Sequence, residues 1–379
     1  MTIAPSLVNS GADFIAGAIL PSAEVNKEIH NGYTAIFSAA SAMSRASVWN
    51  GSVAPREHNG QITAVSNDVT IGTIDQLYFG LNGDVANLSM SSSGSETLSP
   101  GSFVFCPIQS RWYVFCGEST KYLYGLNTMA SLQEGSTSFT SAFRVRDSTL
   151  CGDSLARVLV CGDISAGSTG KIGRINNDIA SIVYTGGAGE SFRSIAASSD
   201  GTYAVCAGFS TAVSSSNGGV NWSAITLPTL PSKIGWLTVS YCAGVGFIIS
   251  GLTTTGQMFW STSITGSSWQ SWKKTSQVAV APTANVYDLR CGICAIGSSG
   301  NVLVCPHVTK QLNNQDIVGA LISIDGGASW VTFSGGVTFP SCENLRAIPV
   351  GNRAAITSSY GFTVTPELII SNPVSSVLA

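Results

Sequence analysis

The sequence predicts an all-β chain folded as a single β-propeller of four-stranded, seven-fold repeated blades with an N-terminal extension. Three observations carry that expectation. A buried-looking strand recurs at intervals close to 45 residues. A Gly-Gly turn motif appears twice after such strands. Strong helix formers are scarce while Gly, Ser and Thr abound, with 41 glycines in 379 residues.

The strand repeat ends in a small residue at positions 116, 161, 206, 250, 305 and 357, spaced by 45, 45, 44, 55 and 52 residues. Its copies are Tyr113–Gly117, Val158–Gly162, Tyr203–Ala207, Phe247–Gly251, Val302–Pro306 and Ala354–Ser358. Each is preceded by a turn and another short apolar run: Phe103–Cys106, Thr149–Cys151, Ile195–Ala197, Leu237–Tyr241, Leu289–Ile293 and Leu345–Val350. A hairpin, a third strand and a fourth in about 45 residues is the size of one blade. Six units run from residue 100 onward, and Tyr33–Ala40, Ala46–Trp49, Gln61–Val65 and Leu77–Leu81 supply a seventh.

The last unit runs short of chain after Ser371, and Phe14–Leu20 is the expected donor of its missing strand, which would remove open sheet edges. Residues 1–30 are read as an arm, anchor or closing strand and 31–379 as the propeller. Residues 23–46 also carry helix-compatible Glu24, Lys27 and Glu28.

The turn motif reads Ser215-Ser216-Asn217-Gly218-Gly219-Val220-Asn221-Trp222 and Ser323-Ile324-Asp325-Gly326-Gly327-Ala328-Ser329-Trp330. Glycine tolerates positive φ, Asn217 or Asp325 can bond the turn's own N–H groups, and Ser215 or Ser323 can do the same. Trp222 and Trp330 start the next strand and wedge between sheets. A degenerate copy, Thr262–Trp269, has Ile264 where the acid would be. The motif resembles the Asp-box, or BNR repeat, of sialidase-like propellers, where it joins the third and fourth strands of a blade. Its residues Ser215, Asn217, Gly219, Trp222, Ser323, Asp325, Gly327 and Trp330 are thus expected to be structural.

Ten cysteines invite a disulfide reading, but the repeat position is shared by Cys116, Cys161, Cys206 and Cys305 with Ser250 and Thr357. Such a position wants a small buried residue, so free thiols and a reducing compartment are expected. Cys291-Gly292-Ile293-Cys294 has redox or zinc spacing. It lies in a predicted strand, where residues three apart face opposite sides, and His30, His58 and His307 are scattered. No metal and no cofactor are expected.

Arg146, Arg193, Arg290 and Arg346 each lie near the start of a unit's first strand. First strands line a propeller's central channel, so these side chains are candidates for an anion- or glycan-binding site, because guanidinium groups bind carboxylates bidentately. Resemblance to sialidases would add Tyr360 as nucleophile and Asp147 or Asp200 as acid. The chain lacks the N-terminal Arg-Ile-Pro segment of those enzymes, and catalysis is not expected. Trp112, Trp236, Trp260 and Trp272 are read either as sugar platforms or as fillers between blades.

Only 10% of residues are charged and the net charge is −3, with no basic patch to hold nucleic acid. Mean hydropathy is +0.27, yet no apolar run reaches membrane-spanning length. With no signal-peptide pattern at Met1–Pro5, these features resemble a bacteriophage tail protein. That resemblance implies synthesis in the host cytoplasm, residence in the virion, homo-oligomeric assembly, and docking to other tail proteins or recognition of a host-surface glycan.

Overall fold

The computed structural model describes residues 100–365, apart from 117, 127–130, 153, 164–168, 230–233, 282–288, 311–315, 340–344, 351–352 and 359–360. It also describes Leu368 and the backbone of five earlier strands. No helix occurs among the described residues.

The first strand, β1 (Arg45–Val48), pairs with the last described strand of the chain. β2 (Arg56–His58), β3 (Gln61–Asp68), β4 (Thr73–Gly80) and β5 (Val85–Ser92) form an antiparallel run. A second run holds β6 (Pro100–Cys106), β7 (Arg111–Cys116), β9 (Leu123–Leu126) and β10 (Ser131–Glu134), and β10 joins β5 in parallel. The short β8 (Glu118–Ser119) lies beside β11 (Phe143–Leu150), which continues through β12 (Arg157–Asp163), β13 (Gly170–Asn176) and β14 (Ile179–Thr185).

The next sheet is β15 (Phe192–Ala197), β16 (Ala204–Gly208), β17 (Ala212–Ser215) and β18 (Ser223–Ala224). It is followed by β19 (Ile234–Cys242), β20 (Gly246–Thr253), β21 (Gln257–Ser263) and β22 (Lys273–Val278). After β23 (Cys291–Gly292) come β24 (Cys294–Ile296), β25 (Val302–Lys310), β26 (Asp316–Ser323) and β27 (Val331–Phe339). The last sheet holds β28 (Leu345–Val350), β29 (Arg353–Ser358) and β30 (Gly361–Val364), with β1 on β30 and β23 on β28. Consecutive four-stranded antiparallel sheets, with β6, β11, β15 and β19 side by side, are the blade arrangement of a β-propeller.

The closing strand therefore comes from the N-terminal part of the chain, but it is Arg45–Val48. Phe14–Leu20, the expected donor, lies outside the described residues, as do residues 23–44 of the helix alternative for 23–46, whose last two residues, Arg45 and Ala46, belong to β1 and not to a helix. Leu289–Ile293 is not the one strand expected. It breaks at Ile293, so that Cys291 belongs to β23 and Cys294 to β24, in different sheets.

The repeat position falls on the second strand of each unit. β12, β16 and β20 are buried almost throughout, as a strand sandwiched between stacked sheets must be. Outer strands β18 and β22 are mostly exposed. Cys161, Cys206, Cys305 and Thr357 are fully buried, and Ser250 is 1% exposed. Eight described cysteines are free and buried. Burial pushes the Cys206, Cys294 and Cys305 thiols well above their ordinary range.

The core lies between sheets. Tyr113, Tyr122, Phe139 and Phe143 form an aromatic chain with centroid separations of 5.6, 6.4 and 5.3 Å. Hydroxyls stitch the innermost strands together. Ser102 Oγ lies 2.7 Å from Ser148 Oγ, Val239 N donates to Ser194 Oγ at 3.0 Å, and Ser240 Oγ donates to the Ile293 carbonyl at 2.7 Å.

The two full turn motifs are built alike, each between a third and fourth strand. Gly219 N donates to Ser215 Oγ at 3.0 Å and Gly327 N to Ser323 Oγ at 2.8 Å. Asn217 Oδ1 accepts from Asn221 N, and Asp325 Oδ1 from Ser329 N, both at 2.9 Å. Trp222 and Trp330 each donate Nε1–H to the carbonyl of the second glycine at 3.1 Å. Those glycines, at φ 77° and 91°, need the left-handed region. In the degenerate copy the hydroxyl comes from Ser263, which accepts from Gly266 N, while Trp269 keeps its bond to Gly266. Ile264 is 69% exposed there.

Candidate functional site

Two of the four candidate arginines are aimed by irregularities in their strands. The register of β11 on β12 shifts between Val145 and Asp147, which leaves Arg146 as the bulged residue. The register of β15 on β16 shifts between Phe192 and Ser194, which leaves Arg193 in the same role. A bulge turns its side chain out of the pleat and is common beside sites. Glycine opposite each bulge makes room. A Cβ on Gly162 would sit 1.9 Å from the Arg144 carbonyl oxygen, and one on Gly208 1.9 Å from that of Ser191. The β19 register also shifts between Ile234 and Leu237, a span that contains Trp236.

The other two arginines are brought to one sheet by pairing. Cys291 and Gly292 of β23 run parallel to Leu345 and Arg346 of β28, so Arg290 enters this sheet two residues before Gly292, the partner of Arg346. Arg346 Nη1 then reaches Asp147 Oδ2 at 2.8 Å, 199 residues away, and its Nη2 donates to the Arg193 carbonyl at 3.4 Å. The four residues predicted from strand starts are thus brought together.

Two carboxylates serve them. Asp147 is fully buried and accepts from Ser148 N and Ile195 N, both at 3.0 Å, as well as from Arg346. Asp163, 1% exposed, takes Arg146 Nε on one oxygen at 3.0 Å and Arg193 Nη2 on the other at 2.7 Å, with Ser191 Oγ at 2.8 Å. Asp163 escaped sequence reasoning. Its only signal is its place two residues after the repeat cysteine, at the end of β12.

Arg290 is different. It is half-buried, and among the described residues no carboxylate lies within ion-pair distance of it. Burial, then Arg346, Arg193 and Arg146, push its guanidinium down to about 9. Asp147 pulls the other way, and an arginine still holds its proton there at neutral pH, so Arg290 stays a cation. Arg193 is pushed down too, by burial and by Arg146. Four guanidinium groups face two occupied carboxylates. Arg146, Arg193 and Arg346 keep 21%, 15% and 10% of their side-chain surface in contact with solvent. Chemically, this arrangement can hold an anion bidentately.

The remaining candidates do not join it. Asp200 lies in an exposed turn, bonded to Ser198 Oγ, Thr202 N and Thr202 Oγ1. Tyr360 lies outside the described residues. Trp112 and Trp260 are buried fillers, at 1% and 3% exposure, and Trp272 bonds the Pro228 carbonyl at 2.8 Å. Trp236 alone stands at the arginines, with Arg193 Cζ 5.0 Å from its ring centroid. No group of three or more metal-ligating side chains occurs among the described residues.

No family model matches the chain, and no curated protein matches it. Solved structures do. YCF48 bound to D1 peptide superposes with a TM-score of 0.56 at 10% identity, covering 86% of this chain and 97% of that one. The Cps50 (Swd1) β-propeller domain of Myceliophteria thermophila gives 0.55 at 10% identity, covering 84% and 99%. Hydrazine synthase of Kuenenia stuttgartiensis gives 0.55 at 13% identity, covering 86% and 97%. At such identities the likeness shows the fold alone: the chain is a β-propeller.

Proposed function

We propose that this propeller is a non-enzymatic binding protein whose channel arginines capture an anionic group, a carboxylate above all, on a partner. The observation that carries the proposal is Arg290, a cation without a carboxylate partner among the described residues, set among three other arginines. A buried guanidinium without an ion-pair partner is costly, and an incoming anion would offset that cost. The non-enzymatic reading is supported by the engagement of Asp147 with Ser148 N, Ile195 N and Arg346, and of Asp163 with Arg146, Arg193 and Ser191.

The setting we propose is a bacteriophage tail, where a seven-bladed propeller closed by β1 docks other tail proteins or reads a host-surface group. Low charge and Gly/Ser/Thr-rich composition support that setting. A similar propeller has been captured with a peptide, which supports a protein partner.

Isothermal titration with acetate and sulfate tests the site. The wild type binds and Arg290→Gln loses at least tenfold in affinity, about 1.4 kcal/mol. Equal affinity of both proteins, or turnover of a fluorogenic sialoside, would overturn the proposal. The tail setting fails if purified particles of the host phage lack this chain.

A further inference from the structure

Beside the arginines stands an apolar corner that the anion site alone does not explain. Phe209 closes β16 and is 39% exposed, one of few large hydrophobes left open to solvent among the described residues. It bridges to Trp236 through the backbone, and their rings meet edge to face at 5.4 Å and 77°. Trp236 in turn lies under the Arg193 guanidinium. The corner is fixed rather than loose. Gly208 N donates to the Thr211 carbonyl at 2.9 Å, and Ser210, at φ 56°, donates its hydroxyl to the Ile234 carbonyl at 3.2 Å. Phe209, Trp236 and Arg193 therefore form one continuous chain of contacts, from exposed hydrocarbon to the guanidinium groups of the arginine cluster.

We infer that the arginine site takes the free carboxyl terminus of a partner polypeptide whose last side chain is apolar, the carboxylate going to Arg290 and the side chain to Phe209. This rests on the anion-binding reading above and narrows it. A ligand must satisfy both ends of this chain of contacts. An acidic sugar brings hydroxyls, which would lose water against the Phe209 ring without a replacement partner. Nor is the indole an open platform for a sugar, since Arg193 covers one face and Phe209 abuts its ring. An apolar side chain beside a carboxylate loses nothing there and gains burial. A C-terminal residue carries both groups on a single carbon.

The test uses the full-length chain and Trp fluorescence or calorimetry. The probes are a decapeptide ending in Phe, the same peptide amidated, one ending in Ser, N-acetylphenylalanine, sialic acid and acetate. The Phe-ending acid is expected to bind roughly tenfold more tightly than the amide and than the Ser-ending acid. Phe209→Ser is expected to bring the two acids within about twofold while acetate binding stays unchanged, and Phe209→Leu to keep most of the preference. Equal binding of the Phe- and Ser-ending acids, or tighter binding of sialic acid, overturns the inference and leaves the anion site standing. N-acetylphenylalanine binding as tightly as the peptide overturns the polypeptide part. If acetate and every other acid fail to bind, the anion-binding reading itself falls.

Discussion

Single residues here carry either turn geometry or charge, and the two behave differently. Ser323 is 1% exposed and its hydroxyl accepts the Gly327 N–H. Ser323→Ala strands that donor and should cost about 1–2 kcal/mol in chemical denaturation. Burial works against the Asp325 charge, but the Ser329 hydroxyl and N–H and the Ser323 hydroxyl hold its carboxyl below the usual range. Since Asn217 makes the matching bond in the other motif, Asp325→Asn should change stability by no more than about 0.5 kcal/mol. The same experiment separates the roles: the hydroxyl matters more than the acid, a ranking that spacing and residue type did not reveal.

His307 makes a pH prediction. Burial pushes its imidazole down although ring Nδ1 lies 3.1 Å from the Ala279 carbonyl. The folded chain then binds that proton more weakly than the unfolded chain. Its contribution is whole at neutral pH and drains away as pH falls below about 6.5. Denaturation midpoints of His307→Gln should fall less between pH 7.5 and 5.5 than those of the wild type. A parallel fall in both would remove His307 from the account.

At the scale of elements, the second strands were legible because each is buried on both faces and reads as one apolar run ending in a small residue. The CxxC segment was misread for an equally physical reason. A continuous apolar stretch gives no sign that its chain steps from one sheet to the next at Ile293. Nor does a four-residue strand such as β1 announce that it will pair with β30, more than 300 residues on. The bulges were invisible as well, though a glycine one or two residues past the repeat cysteine is their trace. Gly162→Ala would press a methyl against the Arg144 carbonyl. That substitution should cost at least about 2 kcal/mol and weaken acetate binding by moving Arg146, both readable in one set of titrations with and without the anion.

Across the whole molecule, the propeller gathers residues from positions 146 to 346 around one axis, which is why strand-start arginines far apart in sequence meet. Their convergence could be read from the repeat. Their division into three paired cations and one without an ion-pair partner among the described residues could not, because it depends on Asp163 and on the pairing of β23 with β28. A buried cation with no ion-pair partner among the described residues destabilises the fold that holds it. Arg290→Met should therefore raise stability without ligand by about 1 kcal/mol while abolishing the stabilisation that acetate gives the wild type. A gain of stability coupled to a loss of binding is the signature of a charge kept for a ligand.

The most direct measurement is a crystal of the protein soaked in 4-bromobenzoate, with bromine located by anomalous scattering. The account predicts a carboxylate within hydrogen-bonding distance of Arg290 and a bromine peak beside Phe209. Ordered bromobenzoate elsewhere in the crystal, with the arginines left bare, would contradict it.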